Sequence, residues 1–254
     1  MGGGEKMKKT AIAILLLYLL VCFVGCSAKE KSESNTPAAD SSISTQEQPQ
    51  SNMEENSVQT KPVSEPYTKN TRIADVINDS AFGDYGRLIF PVNNGYYSGD
   101  TLGDLSLTWY SHIDADKTVE IANYFKSHAE AGDIIFYDIY TEAEKAADPA
   151  KADTGLFFFK GNPGERFAIC NAGGGFAYVG AMHDSFPHAL ELSKKGYNAF
   201  ALIYRPGWDT AVEDLARAIG FIFEHAEELE VDTDCYSLWG GSAGGRMTAY
   251  LGSY

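Results

Sequence analysis

Apolar and polar positions divide the chain into three regimes. Residues 11–24 form a nearly unbroken apolar run, residues 27–66 are almost wholly polar, and from Tyr67 onward apolar residues recur at regular spacings. In the third regime those spacings predict elements. Residues 67–115 are aromatic and glycine-rich, with turn signals at Asn93-Asn94-Gly95 and Ser98-Gly99-Asp100, and read as short strands and loops. Asp116 is placed to cap a helix running to Ala131, with Ile121, Tyr124, Phe125 and His128 on one face and Gly132 as its stop. Ile134–Ile139, Leu156–Phe159, Arg166–Cys170, Asn198–Tyr204 and Tyr236–Trp239 read as strands, with a turn at Asn162-Pro163-Gly164. The near-continuous apolarity of Asn198–Tyr204 suits a strand buried on both faces. Ser185–Lys194 reads as a helix that tolerates Pro187 in its first turn and ends before Gly196. A second helix opens on a predicted capping box, Thr210-x-x-Glu213, and carries Val212, Leu215, Ile219, Ile222, Phe223 and Ala226 at helical spacing. Strands alternating with helices imply an α/β fold around a parallel sheet with right-handed crossovers.

The first two regimes read as targeting and tether. Lys6, Lys8 and Lys9 precede the apolar run, which is too short to span a membrane comfortably. It ends at Phe23-Val24-Gly25-Cys26, which resembles a bacterial lipobox, although Phe23 stands where leucine is commonest. That resemblance implies removal of residues 1–25, lipidation of Cys26 and a lipid-anchored, extracytoplasmic protein. The alternatives are an ordinary signal peptide or an uncleaved anchor. Residues 27–66 hold nine Ser, four Pro and six Glu and no aromatic residue. Such a segment buries too little apolar surface to offset its ordering entropy, so 26–66 is expected to be a disordered tether. Residues 67–132 then form an N-terminal extension and 133–254 the α/β domain.

Charge narrows the function. The net charge is −15, and without residues 1–25 the balance is 17 Lys and Arg against 34 Asp and Glu, or −17. This disfavours nucleic acid as a partner, because phosphate backbones are held by clustered cations. No sequence feature calls for a metal or cofactor.

Two glycine-rich stretches carry the candidate chemistry. Gly240-Gly241-Ser242-Ala243-Gly244 is a G-x-S-x-G pattern between a predicted strand and a predicted helix, the context a nucleophile elbow requires. Cys170-Asn-Ala-Gly-Gly-Gly-Phe176 is a glycine run directly after a strand, able to turn backbone amides toward a substrate oxygen. It lacks the Lys and Ser/Thr that follow the glycines of a phosphate-binding P-loop. From about Leu156 onward the chain resembles the α/β-hydrolase fold, in its esterase/lipase branch of acetyl-esterase-like enzymes. The resemblance rests on Gly173-Gly174-Gly175-Phe176, Phe186-Pro187, Gly196–Phe200, Tyr204-Arg205, Asp214–Ala218 and Gly240–Gly245. It implies a mostly parallel sheet with flanking helices and Ser242 as nucleophile. It also implies an oxyanion hole of the Gly174, Gly175 and Ala243 amides, a small-molecule ester substrate and no cofactor or metal. Ala172 departs from the pattern, since many relatives have His or Pro there. Phe176 and His183 are candidates to line the pocket.

The same resemblance places an acid and then a histidine after the nucleophile. The twelve residues that follow Ser242 contain no His, Asp or Glu. The chain is therefore expected to be the incomplete front portion of a hydrolase, inactive alone. Of its histidines, His112, His128 and His225 read as surface or boundary residues, while His183 and His188 follow the glycine loop on the active-site side. The fold also implies that Cys170 and Cys235 lie at different levels of two neighbouring parallel strands, as two buried thiols rather than a disulfide. Rival readings are a prolyl-oligopeptidase-like serine peptidase and a noncatalytic surface-binding lipoprotein.

Overall fold

The structure, a computed structural model, describes residues 65–90, 95–107 and 113–253. The apolar leader, Cys26, nearly all of the predicted tether, the Asn93-Asn94 turn positions and His112 lie outside the described residues.

The described residues build one five-stranded mixed sheet. Its strands are β3 (Phe136–Tyr137), β4 (Gly155–Phe159), β5 (Glu165–Asn171), β6 (Asn198–Ile203) and β7 (Val231–Gly240), in the order β3-β4-β6-β5-β7. β5 pairs in parallel with both β6 and β7, whereas β4 pairs antiparallel with β3 and β6. All strands but β4 therefore point the same way, so the sheet is mostly parallel rather than wholly so. The turn after β4 does not make a hairpin, because β6 lies between β4 and β5. Asn198, fully buried at the start of β6, holds that crossing: its Nδ2 donates to Asn162 O (3.1 Å) and Glu165 O (3.0 Å), and its Oδ1 accepts from Gly161 N–H (3.0 Å).

Seven α-helices accompany these strands among the described residues: α1 (Ile73–Ile77), α2 (Gly86–Ile89), α3 (Ala115–Ala131), α4 (Glu142–Ala147), α5 (Ser185–Lys194), α6 (Trp208–Glu224) and α7 (Ser242–Gly252). Alternation along β4 decides what each sheet face meets. Phe157 and Phe159 pack against Phe125 of α3 and Phe186 of α5, while Phe158 stacks on Phe200 at 4.5 Å. On that second face Tyr137 meets Phe221 of α6. Burying each such ring contributes roughly 1.5–3 kcal/mol. Residues 67–89 and α3 share this core through Tyr67, Val76, Phe82, Ile121 and Phe125. A short antiparallel ladder, β1 (Tyr97–Ser98) with β2 (Ser106–Leu107), accounts for the strands expected in the aromatic-rich region, and α1 and α2 were not foreseen there.

Several local expectations are corrected. α3 is capped by Asp114, whose carboxylate accepts from Asp116 and Lys117 N–H, and Asp116 instead pairs with Lys69. α6 starts at Trp208 after Gly207, and Thr210 is no cap: its hydroxyl donates back to Pro206 O (2.7 Å). Glu213, its supposed capping-box partner, is drawn instead to Arg205 (3.0 Å). Among the described residues a capping box is formed by Thr141 with Glu144. Ile134–Ile139 yields only a two-residue strand, with Ile134 59% exposed.

Among the described residues β7 pairs on one side only, and Tyr236 and Trp239 on it are 38% and 44% exposed. An unpaired apolar edge templates association with another chain. The chain freed of residues 1–25 is therefore expected to self-associate; a monodisperse, cooperatively melting monomer in size-exclusion and thermal scans would contradict this.

Candidate active site

The elbow is built by the end of β7 and the start of α7. Gly240 closes the strand, Gly241 turns the chain, and α7 begins on Ser242 itself. Ser242 sits at φ 48°, in the left-handed region that residues with a side chain seldom adopt. Strain of that kind persists only where surrounding structure imposes it, and it clusters at functional sites. Here packing imposes it. A Cβ on Gly244 would lie 2.0 Å from Asn171 O, so α7 rests directly on the end of β5. Asn171 ties the end of β5 to the elbow, its Nδ2 donating to Trp239 O (3.0 Å) while its main-chain O accepts from Gly241 N–H (3.3 Å). The Ser242 side chain is thereby left on an exposed turn at the C-terminal edge of the sheet, where open α/β sheets bind ligands. Ala243, next in α7, has its N–H in the first turn, among donors without an intrahelical acceptor.

The glycine loop lies against this turn. A Cβ on Gly173 would come 3.1 Å from Ser242 Cβ. Gly174, at φ 146°, approaches Tyr178 O so closely that a Cβ would meet it at 1.9 Å. The loop is closed by Gly180 N–H donating to Gly173 O (2.9 Å) and Ala177 N–H donating to Gly174 O (3.0 Å). The Tyr204 hydroxyl holds its start through Ala172 O (2.7 Å), and Gly207 N–H holds its end through Phe176 O (2.8 Å). The structure thus brings Ser242 against Gly173, the first glycine of the loop that continues through Gly174 and Gly175. Phe176, itself at φ 59°, packs edge-on to Trp208 at 5.3 Å.

The histidines separate. His128 pairs with Asp133 (2.7 Å) and His225 with Glu228 (3.2 Å), both at the surface. His183 folds over Gly180, and burial pushes its imidazole below the ordinary range, against the partial pull of the Asp184 charge. His188 Nδ1 donates to Asp184 main-chain O (2.7 Å) and lies 3.5 Å from Asp184 Oδ1; that carboxylate contact, partly opposed by burial, raises its pKa. A cavity of about 160 Å³ beside the elbow is lined by Cys170, Asn171, Asp184, Ser185, His188 and the Trp239–Gly241 end of β7.

Cys170 and Cys235 are not joined. Cys170 stands opposite Trp239 in the parallel register, four positions along β7 from Cys235, which falls in the bulge between Asp232 and Tyr236. Burial, aided by the Asp184 charge, pushes the Cys170 thiol up to about 12. Cys235 is only half-buried, contrary to expectation, because β7 pairs on one side only among the described residues. Among the described residues no group of three or more His, Cys, Asp and Glu side chains is arranged to hold a metal ion.

Asp184, Asn171 and Tyr204 were not singled out by sequence reasoning as parts of the site. Asn171 and Tyr204 sit inside or beside the matched stretches, but their roles are contacts across the sheet that no local pattern announces.

Residues 163–254 match the BD-FAE family, a family of the α/β-hydrolase type. Comparison with curated proteins finds no match. Among solved structures the chain is similar to an acetyl ester-xyloside bifunctional hydrolase from Caldicellulosiruptor lactoaceticus, at 23% identity and TM-score 0.42 over 46% of each chain. It is also similar to esterase 2 of Thermogutta terrifontis, at 24% identity and TM-score 0.39 over 45% of this chain and 44% of that one. A third is a sugar hydrolase from Lactococcus lactis, at 23% identity and TM-score 0.36 over 39% and 43%. The chain spans less than half the length of each of these proteins. With the sheet, the flanking helices and the family match together, residues 163–254 form an α/β-hydrolase-type segment similar to BD-FAE.

Proposed function

We propose that this chain carries the nucleophile half of a serine carboxylesterase acting on small esters such as acetylated sugars. The observation that carries the reading is Ser242, held at φ 48° on a strand–helix turn with a glycine loop packed against it. In this reading Ser242 Oγ attacks the ester carbonyl and its proton passes to a histidine. The Ala243, Gly174 and Gly175 amides bind the oxyanion; the alcohol departs, and water then releases the acid from the acyl-enzyme. The histidine and its acid belong, by the family pattern, to sequence following the nucleophile, so the activity is that of a protein long enough to supply them. Cys26 would tether it to a bacterial membrane from the outer side, a reading that rests on the sequence alone.

An ester and peptide panel on such a longer protein tests the proposal. Hydrolysis of acetyl esters, with peptides untouched, is expected. Turnover of peptides instead would favour a prolyl-oligopeptidase-like enzyme, and glycan binding without turnover a noncatalytic surface protein.

A further inference from the structure

Asp184 occupies the N-cap of α5, the position where a carboxylate ordinarily accepts from the first free amides of its own helix. Its side chain makes no such bond. Its backbone is turned to φ −129° and ψ −79°, and Oδ2 accepts instead from Gly173 N–H at 2.7 Å, eleven residues earlier. The same Oδ2 faces the elbow, since a Cβ on Gly241 would meet it at 2.8 Å. One carboxylate, 18% exposed, therefore touches both the loop and the turn that carries Ser242. The alternative use of this side chain, capping α5, is worth about 1 kcal/mol and is forgone.

We propose that Asp184 is a positioning residue, whose carboxylate clamps Gly173 N–H and holds the glycine loop at the distance from Ser242 that the oxyanion amides need. The proposal rests on the reading of residues 172–176 as an oxyanion loop. A carboxylate so close to a developing oxyanion is electrostatically unfavourable, which argues that its function is geometric rather than electrostatic. Its main-chain O is in turn bonded by His188, so the loop and α5 are joined by hydrogen bonds and the elbow packs against the same carboxylate. The titratable groups facing Asp184 are Cys170 of β5, His183 and His188 beside it, and Tyr204 after β6. Burial raises the Asp184 carboxyl, but the hydrogen bonds from His188 and Gly173 and the two histidine charges hold it below the usual carboxylate range.

The test is amide hydrogen exchange at Gly173 in the full chain, which requires no turnover. Asp184→Ala should raise the Gly173 exchange rate about tenfold or more, as loss of a charge-assisted hydrogen bond implies, with Ala168 and Phe200 amides unchanged. Asp184→Asn keeps an acceptor and should restore most of the protection. In the unmodified chain the Gly173 amide proton shift should follow the Asp184 carboxyl, with its midpoint below the ordinary carboxylate range. An unchanged Gly173 in Asp184→Ala, a Gly173 shift that does not titrate, or faster exchange spread evenly over the whole sheet would each overturn the proposal. If Gly173 responds as expected while Ser242 proves unreactive in a longer protein that carries this sequence, the clamp stands and the esterase reading falls.

Discussion

Ser242→Ala should abolish ester turnover by any longer protein that carries this sequence, by on the order of 10⁶-fold in kcat, the scale seen when a serine nucleophile is removed. The magnitude follows from what is left behind. The glycine-loop amides and the Ala243 amide would still bind the carbonyl oxygen, but no covalent intermediate could form. Substrate binding should change little, because Ser242 is one small side chain on an exposed turn. Initial-rate kinetics on an acetyl ester separate the two effects. A drop of tenfold or less would show that another group supplies the nucleophile, and that the φ of 48° at Ser242 is a property of the turn alone.

Asp214→Ala should cost the fold about 3–5 kcal/mol, the range for breaking a buried ion pair by removing one partner. Asp214 is fully buried, and Arg205 is 4% exposed. Its carboxylate accepts from Arg205 N–H (2.7 Å), Arg205 Nη2 (2.7 Å) and the Tyr140 hydroxyl (2.8 Å). Removal strands a guanidinium whose remaining carboxylates, Asp148 and Glu213, are 47% and 51% exposed. For a domain whose total stability is about 5–15 kcal/mol, that is a large share. The damage would reach the site, because the segment after β6 that Asp214 anchors also carries Gly207, whose N–H holds Phe176 O. Glu213→Ala should cost no more than about 1 kcal/mol, as half-exposed pairs do. Urea unfolding of both variants checks this. Equal losses would mean that the buried cluster carries no special weight.

The two halves of the site differed in how far local sequence could show them. Strand, glycine run, strand and elbow were all legible, because each is a local pattern with one physical reason: steric room at Gly244, and apolar residues on both faces of β6. The direction of β4 was not, since a short turn after it suggests a hairpin and only the long-range insertion of β6 forbids one. Thr210 and Glu213 matched a capping pattern, yet Arg205, brought near by the fold, outcompeted it. Ile134–Ile139 looked like a strand because Ile135 and Ile139 are core residues, but burial alone does not supply a pairing partner. The role of Asp184, which sits between His183 and His188 on the active-site side, was hidden as well. An aspartate before a helix reads as a cap, and only the fold reveals that its acceptor is used on Gly173. The acid and histidine that would complete the chemistry are not among the residues after Ser242 in this sequence.

The central claim is that Ser242 is the nucleophile of an esterase-type site, and active-site phosphonylation tests it most directly. A fluorophosphonate incubated with a longer protein carrying this sequence, followed by peptide mass mapping, should place one adduct on Ser242, with fluoride as the leaving group and no adduct in Ser242→Ala. An enzyme that turns over esters while Ser242 stays unmodified and another residue takes the label would contradict the account.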